Sequence, residues 1–459
     1  KKILKILNCY STLKNKYYSF WGGIAMYFIE HSTIIKTNKN DEYILINLLN
    51  GLSDILYEKD LNLIKLWIKS DNIRFNNEYE TDLYNTLVKR KYIMKNQDEE
   101  KKYKEFQLET LRRGYEKQKE NIRDLGIVLT YDCNFGCSYC FEADADSNGK
   151  EVLTEDMIDR AKTLFPNIES ILLYGGEPLL EQNMDIIKYI IKKFPDIEYR
   201  IITNGYNIDK YIDILKQAKI RWLQVTLDGN KETHDKSRFL KNERKGTFDK
   251  LMSNIDLAIK NKIRIKIRMN INKNNYQECL ELRKNLKEKY PNKELLIFEL
   301  QPIFQLDNDS KSFLEPILYS VDEYSDNTIN NSLINFQRSI IDGQPIGLKY
   351  NSCSAETSAR LIDNKGDLYS CLVSVGNKGA RIGTYYPKFE YFEKSLINRN
   401  ITTIDECKNC KFALLCGGGC GNAKNINNGD FKGECDFFKR KLNQYIKALG
   451  YEAKGEVIL

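Results

Sequence analysis

Histidine is nearly absent from this chain of 459 residues, which has 2, His31 and His234, beside 8 prolines and 3 tryptophans. Two imidazoles cannot build a histidine-rich metal site, and so little proline excludes a collagen-like or proline-rich linker protein. No run approaches the ~18 uncharged apolar residues of a membrane helix, and the opening Lys-Lys-Ile lacks the apolar core and cleavage site of a secretory signal. A cytoplasmic protein with no membrane partner is therefore the expectation. Lysines are interspersed with acids throughout, so the net charge of +7 draws no contiguous basic stripe and predicts no nucleic-acid partner. With 42% hydrophobic and 29% charged residues the chain is an ordinary globular protein, long enough for two or three domains.

Cysteine, by contrast, is plentiful. A reducing compartment does not keep disulfides, so 12 cysteines point to metal or redox chemistry. Ten fall in two groups, Cys133 to Cys140 and Cys353 to Cys435, while Cys9 and Cys279 stand apart as buried apolar residues. With so few histidines, a thiolate-dominated metal site is what remains.

Apolar patterning divides the chain. Residues 1–94 hold short β-rich runs (Ile24–Ile29, Tyr43–Leu48), helical patterns (Leu61–Lys69, Glu80–Val88) and a closing strand, Tyr92–Met94, which suits a small α+β domain of winged-helix type. Residues 95–120 alternate in charge, with Phe106, Leu108, Leu111 and Tyr115 as sparse apolar positions, and predict a solvated linking helix. From 121 to 305 six strand candidates, Gly126–Thr130, Ser170–Tyr174, Arg200–Thr203, Trp222–Leu227, Ile263–Ile271 and Leu295–Leu300, alternate with helical stretches. Such alternation predicts an α/β fold with parallel strands, and chemistry at their carboxyl ends. A connector (306–347), a loop-rich, glycine- and cysteine-rich module (348–440) and a tail (441–459) follow; metal would have to hold the module together.

The first cysteine motif, Cys133-x3-Cys137-x2-Cys140, begins just after the first of these strands. Three thiolates can wrap one iron–sulfur cube and leave one iron open to an exogenous ligand. Tyr174-Gly-Gly-Glu-Pro178 ends the second strand, where paired glycines allow close approach and Glu177 can pair with an ammonium. Thr203-Asn-Gly205 and Thr226-Leu-Asp-Gly229 end the third and fourth strands; His234-Asp-x2-Arg238, Gly246-Thr-Phe248 and Arg268-Met-Asn270 follow.

Taken in order, these motifs resemble the radical S-adenosylmethionine enzymes over residues 126–303, and the resemblance implies a partial (β/α)6 TIM-like barrel. It implies that Cys133, Cys137 and Cys140 bind a four-iron four-sulfur cluster, with Tyr139 before the last cysteine as the family's aromatic. Gly175, Gly176 and Glu177 would take the amino group of the methionine moiety. Thr203, Asn204, Thr226 and Asp228 fall where the family places ribose contacts, and Asn270 would meet the adenosine. Arg238 or Arg268 would hold the carboxylate, and the sequence does not choose between them. Reductive cleavage to a 5′-deoxyadenosyl radical follows from the same resemblance.

The second group, Cys353-x17-Cys371, Cys407-x2-Cys410-x5-Cys416-x3-Cys420 and Cys435, offers seven thiolates, one set of four and most of a second. Spacing alone leaves zinc ribbons open. It resembles the SPASM auxiliary-cluster domain of peptide-modifying radical S-adenosylmethionine enzymes, which implies two more four-iron clusters, three in all. Cys407, Cys410, Cys416 and Cys435 would close one, and Cys353, Cys371 and Cys420 would hold the other. Fully ligated members carry an eighth cysteine shortly upstream, and Leu280 to Ser352 contains none. The expectation is that the open iron takes a substrate cysteine, giving a thioether in a ribosomally made precursor peptide, with carbon–carbon or carbon–oxygen crosslinking as the alternative. In the sulfatase-maturing branch an aspartate follows the second cysteine of this domain; here it is Leu372, which cannot act as a base. The N-terminal domain resembles leader-binding modules that add a peptide strand to a sheet edge. A flavodoxin- or ferredoxin-type protein is the expected electron donor.

Overall fold

The computed structural model describes residues 27–70, 73–140, 142, 153–303, 336, 338–422, 431–435, 442, 446 and 453–457. Cys9, the start of the expected Ile24–Ile29 run and most of the connector lie outside the described residues.

The N-terminal unit is an antiparallel sheet with helices on one face. It opens with β1 (Tyr27–Phe28), β2 (Ser32–Thr37), β3 (Glu42–Asn47) and β4 (Ser53–Tyr57), followed by α1 (Glu58–Ile68), α2 (Glu78–Lys89) and β5 (Ile93–Met94), which pairs back to β1. Both faces of β3 are buried, because Tyr43 and Leu45 pack under Leu61, Ile64 and Trp67 while Ile44 and Ile46 turn to Phe336, Leu415 and Ile446. A sheet covered on both sides reads as a continuous apolar run, which is why Tyr43–Leu48 shows no alternation. Gly51, at φ +76°, sits so close to the chain that a Cβ would stand 2.1 Å from the Ile346 carbonyl oxygen.

Two boundaries drawn from sequence do not separate structural units. The linking helix α3 (Gln97–Glu120) starts where Asn96 caps the Glu99 amide at 2.9 Å, and it is not merely solvated. Leu108, Leu111 and the buried Tyr115 pack with Tyr350, Ile401, Ile404 and Leu414 of the cysteine module, and only Phe106 of the four apolar positions stays largely exposed. The second boundary is that of the tail.

The barrel strands are β6 (Asp124–Val128), β7 (Ser170–Tyr174), β8 (Glu198–Thr203), β9 (Lys219–Thr226), β10 (Ile265–Ile271) and β11 (Leu296–Pro302). They are parallel, in consecutive spatial order, and are covered by α4 (Glu155–Leu164), α5 (Met184–Lys193), α6 (Ile208–Leu215), α8 (Phe248–Lys260) and α9 (Tyr276–Lys289), with the short α7 (Lys231–Ser237) after β9. Each strand sends one set of alternate residues, such as Ile265, Ile267, Met269 and Ile271, into the helix-side core and the other set into the concave face. The six-stranded α/β partial barrel thus stands as expected.

The cysteine module departs from a loop-rich unit held by metal alone. β12 (Ala359–Ile362) pairs parallel with β6, and β13 (Asp367–Tyr369), β14 (Gly383–Thr384) and β15 (Glu390–Tyr391) continue antiparallel, making one sheet of ten strands. Ile362, Leu368, Ile382 and Tyr385 are fully buried in the barrel's own core, at roughly 1.5–3 kcal/mol each. These strands are too short for periodicity to reveal. Short helices α10 (Asp405–Lys408) and α11 (Ala413–Cys416) carry the later cysteines. The tail then supplies β16 (Ala453–Val457), which pairs with β2 and completes a sheet of order β16–β2–β3–β4. Among the described residues no helix is long and apolar enough to cross a membrane.

Candidate active site

The chain leaves β6 through Thr130 and Tyr131 and enters the Cys133 loop at the carboxyl ends of the parallel strands. Backbone pairing straps this loop to the segment after α7: Gly136 N–H donates to Phe239 O at 2.9 Å, Ser138 N–H to Ser237 O at 3.1 Å and Lys241 N–H to Asn134 O at 2.8 Å. Nothing in the sequence marked Phe239 or Asn134 for this role. The strap also explains His234-Asp-x2-Arg238 and Gly246-Thr-Phe248. Asp235 Oδ1 accepts from the Thr247 and Phe248 amides at 2.7 and 2.9 Å, at the start of α8. His234 is fully buried between the Asp228 amide and Thr247 Oγ1, and burial, helped by Arg238, holds it down to about 3. It is a neutral structural imidazole.

The glycine pair lies against the same loop. Gly175 has φ +122°, and a Cβ there would stand 2.3 Å from Thr130 O; at Gly176 it would stand 2.4 Å from Asp132 O and 2.6 Å from Tyr131 O. Only bare backbone lets β7 close on the cysteine loop. Next in chain, Glu177 is 1% exposed. Its Oε1 accepts from Thr203 Oγ1 at 2.6 Å and the Leu179 amide at 2.8 Å, and its Oε2 from the Asn204 amide at 2.6 Å. Burial outweighs those donors and pushes the carboxyl up to about 7, so a cation brought beside it would favour its charged form. Thr203 and Asn204, expected near the ribose, are thus spent in part on Glu177; Asn204 Nδ2 also donates to Asn134 Oδ1 at 2.7 Å.

A second network closes the other side. Tyr139 donates to Asp228 and accepts from Arg238 Nη1 at 3.0 Å and Asn270 Nδ2 at 3.2 Å. Arg268 joins through Nε to Asn270 Oδ1 at 2.9 Å, and Arg238 lies over the Phe135 ring with its Nε buried and unpartnered. Thr226 is buried at the end of β9, two residues before Asp228. One side of the loop therefore meets a buried carboxylate and the other a guanidinium, the partners of the ammonium and the carboxylate that an amino acid moiety presents.

These residues fit the group the motifs imply. The donor set is soft, burial raises the Cys133 thiol to about 12 and also raises Cys137 and Cys140, and iron binding would displace those protons.

The remaining cysteines gather in two neighbourhoods. Burial, then Glu356, and further the Cys371 and Cys420 thiols push Cys353 up to about 11. Burial, then Cys416, Cys410 and Cys435, push Cys407 up to about 12. Among the described residues no three Cys, His, Asp or Glu side chains form a group that could hold a single metal ion. Cys279 is fully buried in the barrel core, as an apolar residue would be.

The Radical SAM superfamily model matches residues 127–286. A cysteine-type anaerobic sulfatase-maturating enzyme of Clostridium novyi is 27% identical over 371 residues, covering 70% of this chain and 95% of that protein. A GTP 3′,8-cyclase of Clostridium perfringens is 33% identical over 195 residues, covering 41% of this chain and 58% of the cyclase. The fold is similar to native anSMEcpe with bound AdoMet, with a TM-score of 0.53, 21% identity and coverage of 71% and 97%. It is also similar to Streptococcus suis SuiB bound to the precursor peptide SuiA, with a TM-score of 0.50, 15% identity and coverage of 89% and 99%. Residues 127–286 are thus a radical SAM domain, and over 70% of its length the chain is similar to a sulfatase-maturating enzyme.

Proposed function

We propose that this enzyme is a cytoplasmic maturase of a ribosomally made precursor peptide and that its product is a thioether. When bound, S-adenosylmethionine and its cluster would supply a radical that removes hydrogen from a peptide carbon. Cys133, Cys137 and Cys140 would hold that cluster. Gly175, Gly176 and Glu177 would receive the ammonium, and Arg238 or Arg268 the carboxylate. Tyr139, Asp228 and Asn270 would orient the nucleoside.

The observation that carries the reading is one aromatic cluster on the concave face. Tyr131, beside the Cys133 loop, Tyr174 from β7, and Tyr369 from β13 pack together with Val128, Leu361 and Val375. Leu372, next to Cys371, packs there too, so the segment after Cys371 is held beside the Cys133 loop. A peptide docked beside this cluster would lie near both cysteine regions. An apolar, packed Leu372 offers no proton acceptor and disfavours a formylglycine product.

For leader binding, β16 already covers the edge of β2, so among the described residues a further strand would add at β4 or at the outer edge of β16. Supporting a reducing partner, Lys241, Arg244 and Lys245 lie exposed on the strap beside the Cys133 loop and suit an acidic flavodoxin or ferredoxin.

Anaerobic turnover with a cysteine-containing candidate precursor peptide tests the reading. A thioether exchanges one C–H and one S–H for a C–S bond, so the peptide loses two hydrogens and one cysteine ceases to react with alkylating reagent. The same mass loss with every thiol alkylatable would move the product to a carbon–carbon or carbon–oxygen crosslink.

A further inference from the structure

Arg399 and Glu356 form an ion pair at 2.6 Å with both side chains 0% exposed. Burying two charges costs several kcal/mol per ion, and such a pair contributes little net stability compared with apolar packing. What it holds is therefore the informative part.

Each partner is bonded to backbone next to cysteines. Glu356 Oε2 accepts from the Ser352 amide at 2.6 Å and the Cys353 amide at 3.3 Å. Arg399 donates to Gly419 O at 3.0 Å, Gly418 O at 2.6 Å and Lys432 O at 2.9 Å. Gly418 and Gly419 lie between Cys416 and Cys420, and Lys432 lies three residues before Cys435. Segments of both cysteine sets thus meet at one guanidinium–carboxylate pair.

The intervening turn is built for this. Gly417, Gly418 and Gly419 have φ of +72°, +86° and +72°, a left-handed run that side chains resist. A Cβ at Gly418 would stand 2.5 Å from Ile404 Cδ1, and one at Gly419 would stand 2.7 Å from Glu434 O. The turn leaves the carbonyls of 418 and 419 on Arg399, whose planar fork reaches three acceptors beside Glu356 at once.

We infer that Arg399 and Glu356 are positioning residues for both C-terminal cysteine sets, holding Cys353 and Cys420 of one and Cys416 and Cys435 of the other in a single frame, so that the two clusters assemble together. This rests on the reading that those sets bind auxiliary iron–sulfur clusters.

Full-length protein, reconstituted anaerobically, tests it through iron and acid-labile sulfide per chain and through electron paramagnetic resonance. Wild type should hold ~12 irons, Cys435→Ala ~8, and Arg399→Met ~4, the last keeping the resonance that responds to S-adenosylmethionine. Arg399→Lys keeps the buried ion pair and hence the fold, yet its single ammonium cannot span the three carbonyls, so it should also lose iron from both sets. It supplies the answer if Arg399→Met does not fold. Arg399 variants that retain ~12 irons and the wild-type resonance, or that lose one set alone, overturn the inference. A wild type with ~4 irons instead removes the auxiliary-cluster reading, and the pair's role with it.

Discussion

Tyr131 donates a hydrogen bond to Asp363 Oδ2 at 2.8 Å, linking the Cys133 loop to the turn between β12 and β13 across 232 residues of chain. Asp363 Oδ1 accepts from the Lys365 and Asp367 amides at 3.0 and 2.9 Å, so the carboxylate that forms the turn also holds the loop. The two cysteine regions are thereby joined by a buried side-chain bond as well as by a shared sheet.

Tyr131→Phe removes that donor and leaves a buried carboxylate short of one partner. A cost of about 1–3 kcal/mol is expected, read as a fall of a few degrees in the main calorimetric transition. Faster hydrogen exchange should appear in both 130–138 and 361–369. Acceleration confined to one of them would mean that the bond does not couple the two regions.

Glu100 predicts a pH dependence at the other end of the molecule. Burial disfavours its charge, but donors from His31, Tyr27 and the Glu30 and His31 amides prevail and bring it down to about 2. A carboxyl held below its unfolded value of 4.5 stabilises the fold above that pH and loses the contribution as pH falls toward 2. Glu100→Gln should therefore cost about 3 kcal/mol at pH 7, and the gap between variant and wild type in urea midpoint should narrow below pH ~4.5. A gap that does not change from pH 7 to pH 4 contradicts the assignment.

Gly176→Ala should disable cofactor binding without unfolding the barrel, because the new methyl meets two backbone carbonyls of the Cys133 loop. Equilibrium dialysis of S-adenosylmethionine on reconstituted protein should show at least a tenfold loss, about 1.4 kcal/mol, with unchanged far-ultraviolet dichroism. Wild-type affinity would show that the loop yields at little cost.

Truncation after residue 452 removes β16 and exposes the edge of β2. Amides of Ile34 to Thr37 should exchange faster, while those of Leu223 to Thr226 in β9 keep their protection. Equal protection in the truncated chain would mean that the strand is dispensable to this sheet.

How much was legible in sequence differs by region. The barrel strands were, since β10 buries Ile265, Ile267, Met269 and Ile271 with period two and a helix follows each strand from β6 to β10. The two- to four-residue strands β12 to β15 were not, because a period cannot be read over so few positions, and their place beside β6 depends on pairing across more than two hundred residues. At the site, Cys133, Gly175 and Glu177 declared themselves by residue type and spacing. Asn134, Phe239, Arg399 and Glu356 did not, since their partners are distant in sequence and mostly backbone groups, which carry no residue signature.

The sequence by itself determined which atoms are available: ten thiols in two groups, a glycine pair before a glutamate, and six strands to present them. Only the tertiary structure decided which segments those residues serve. It spent Thr203 and Asn204 partly on Glu177, made His234 a buried neutral support, joined the tail to the N-terminal sheet and tied both auxiliary cysteine sets to one ion pair. The physical reason is that local chemistry resides in side chains, whereas partnership depends on long-range pairing and burial, which exist only once the chain has closed on itself.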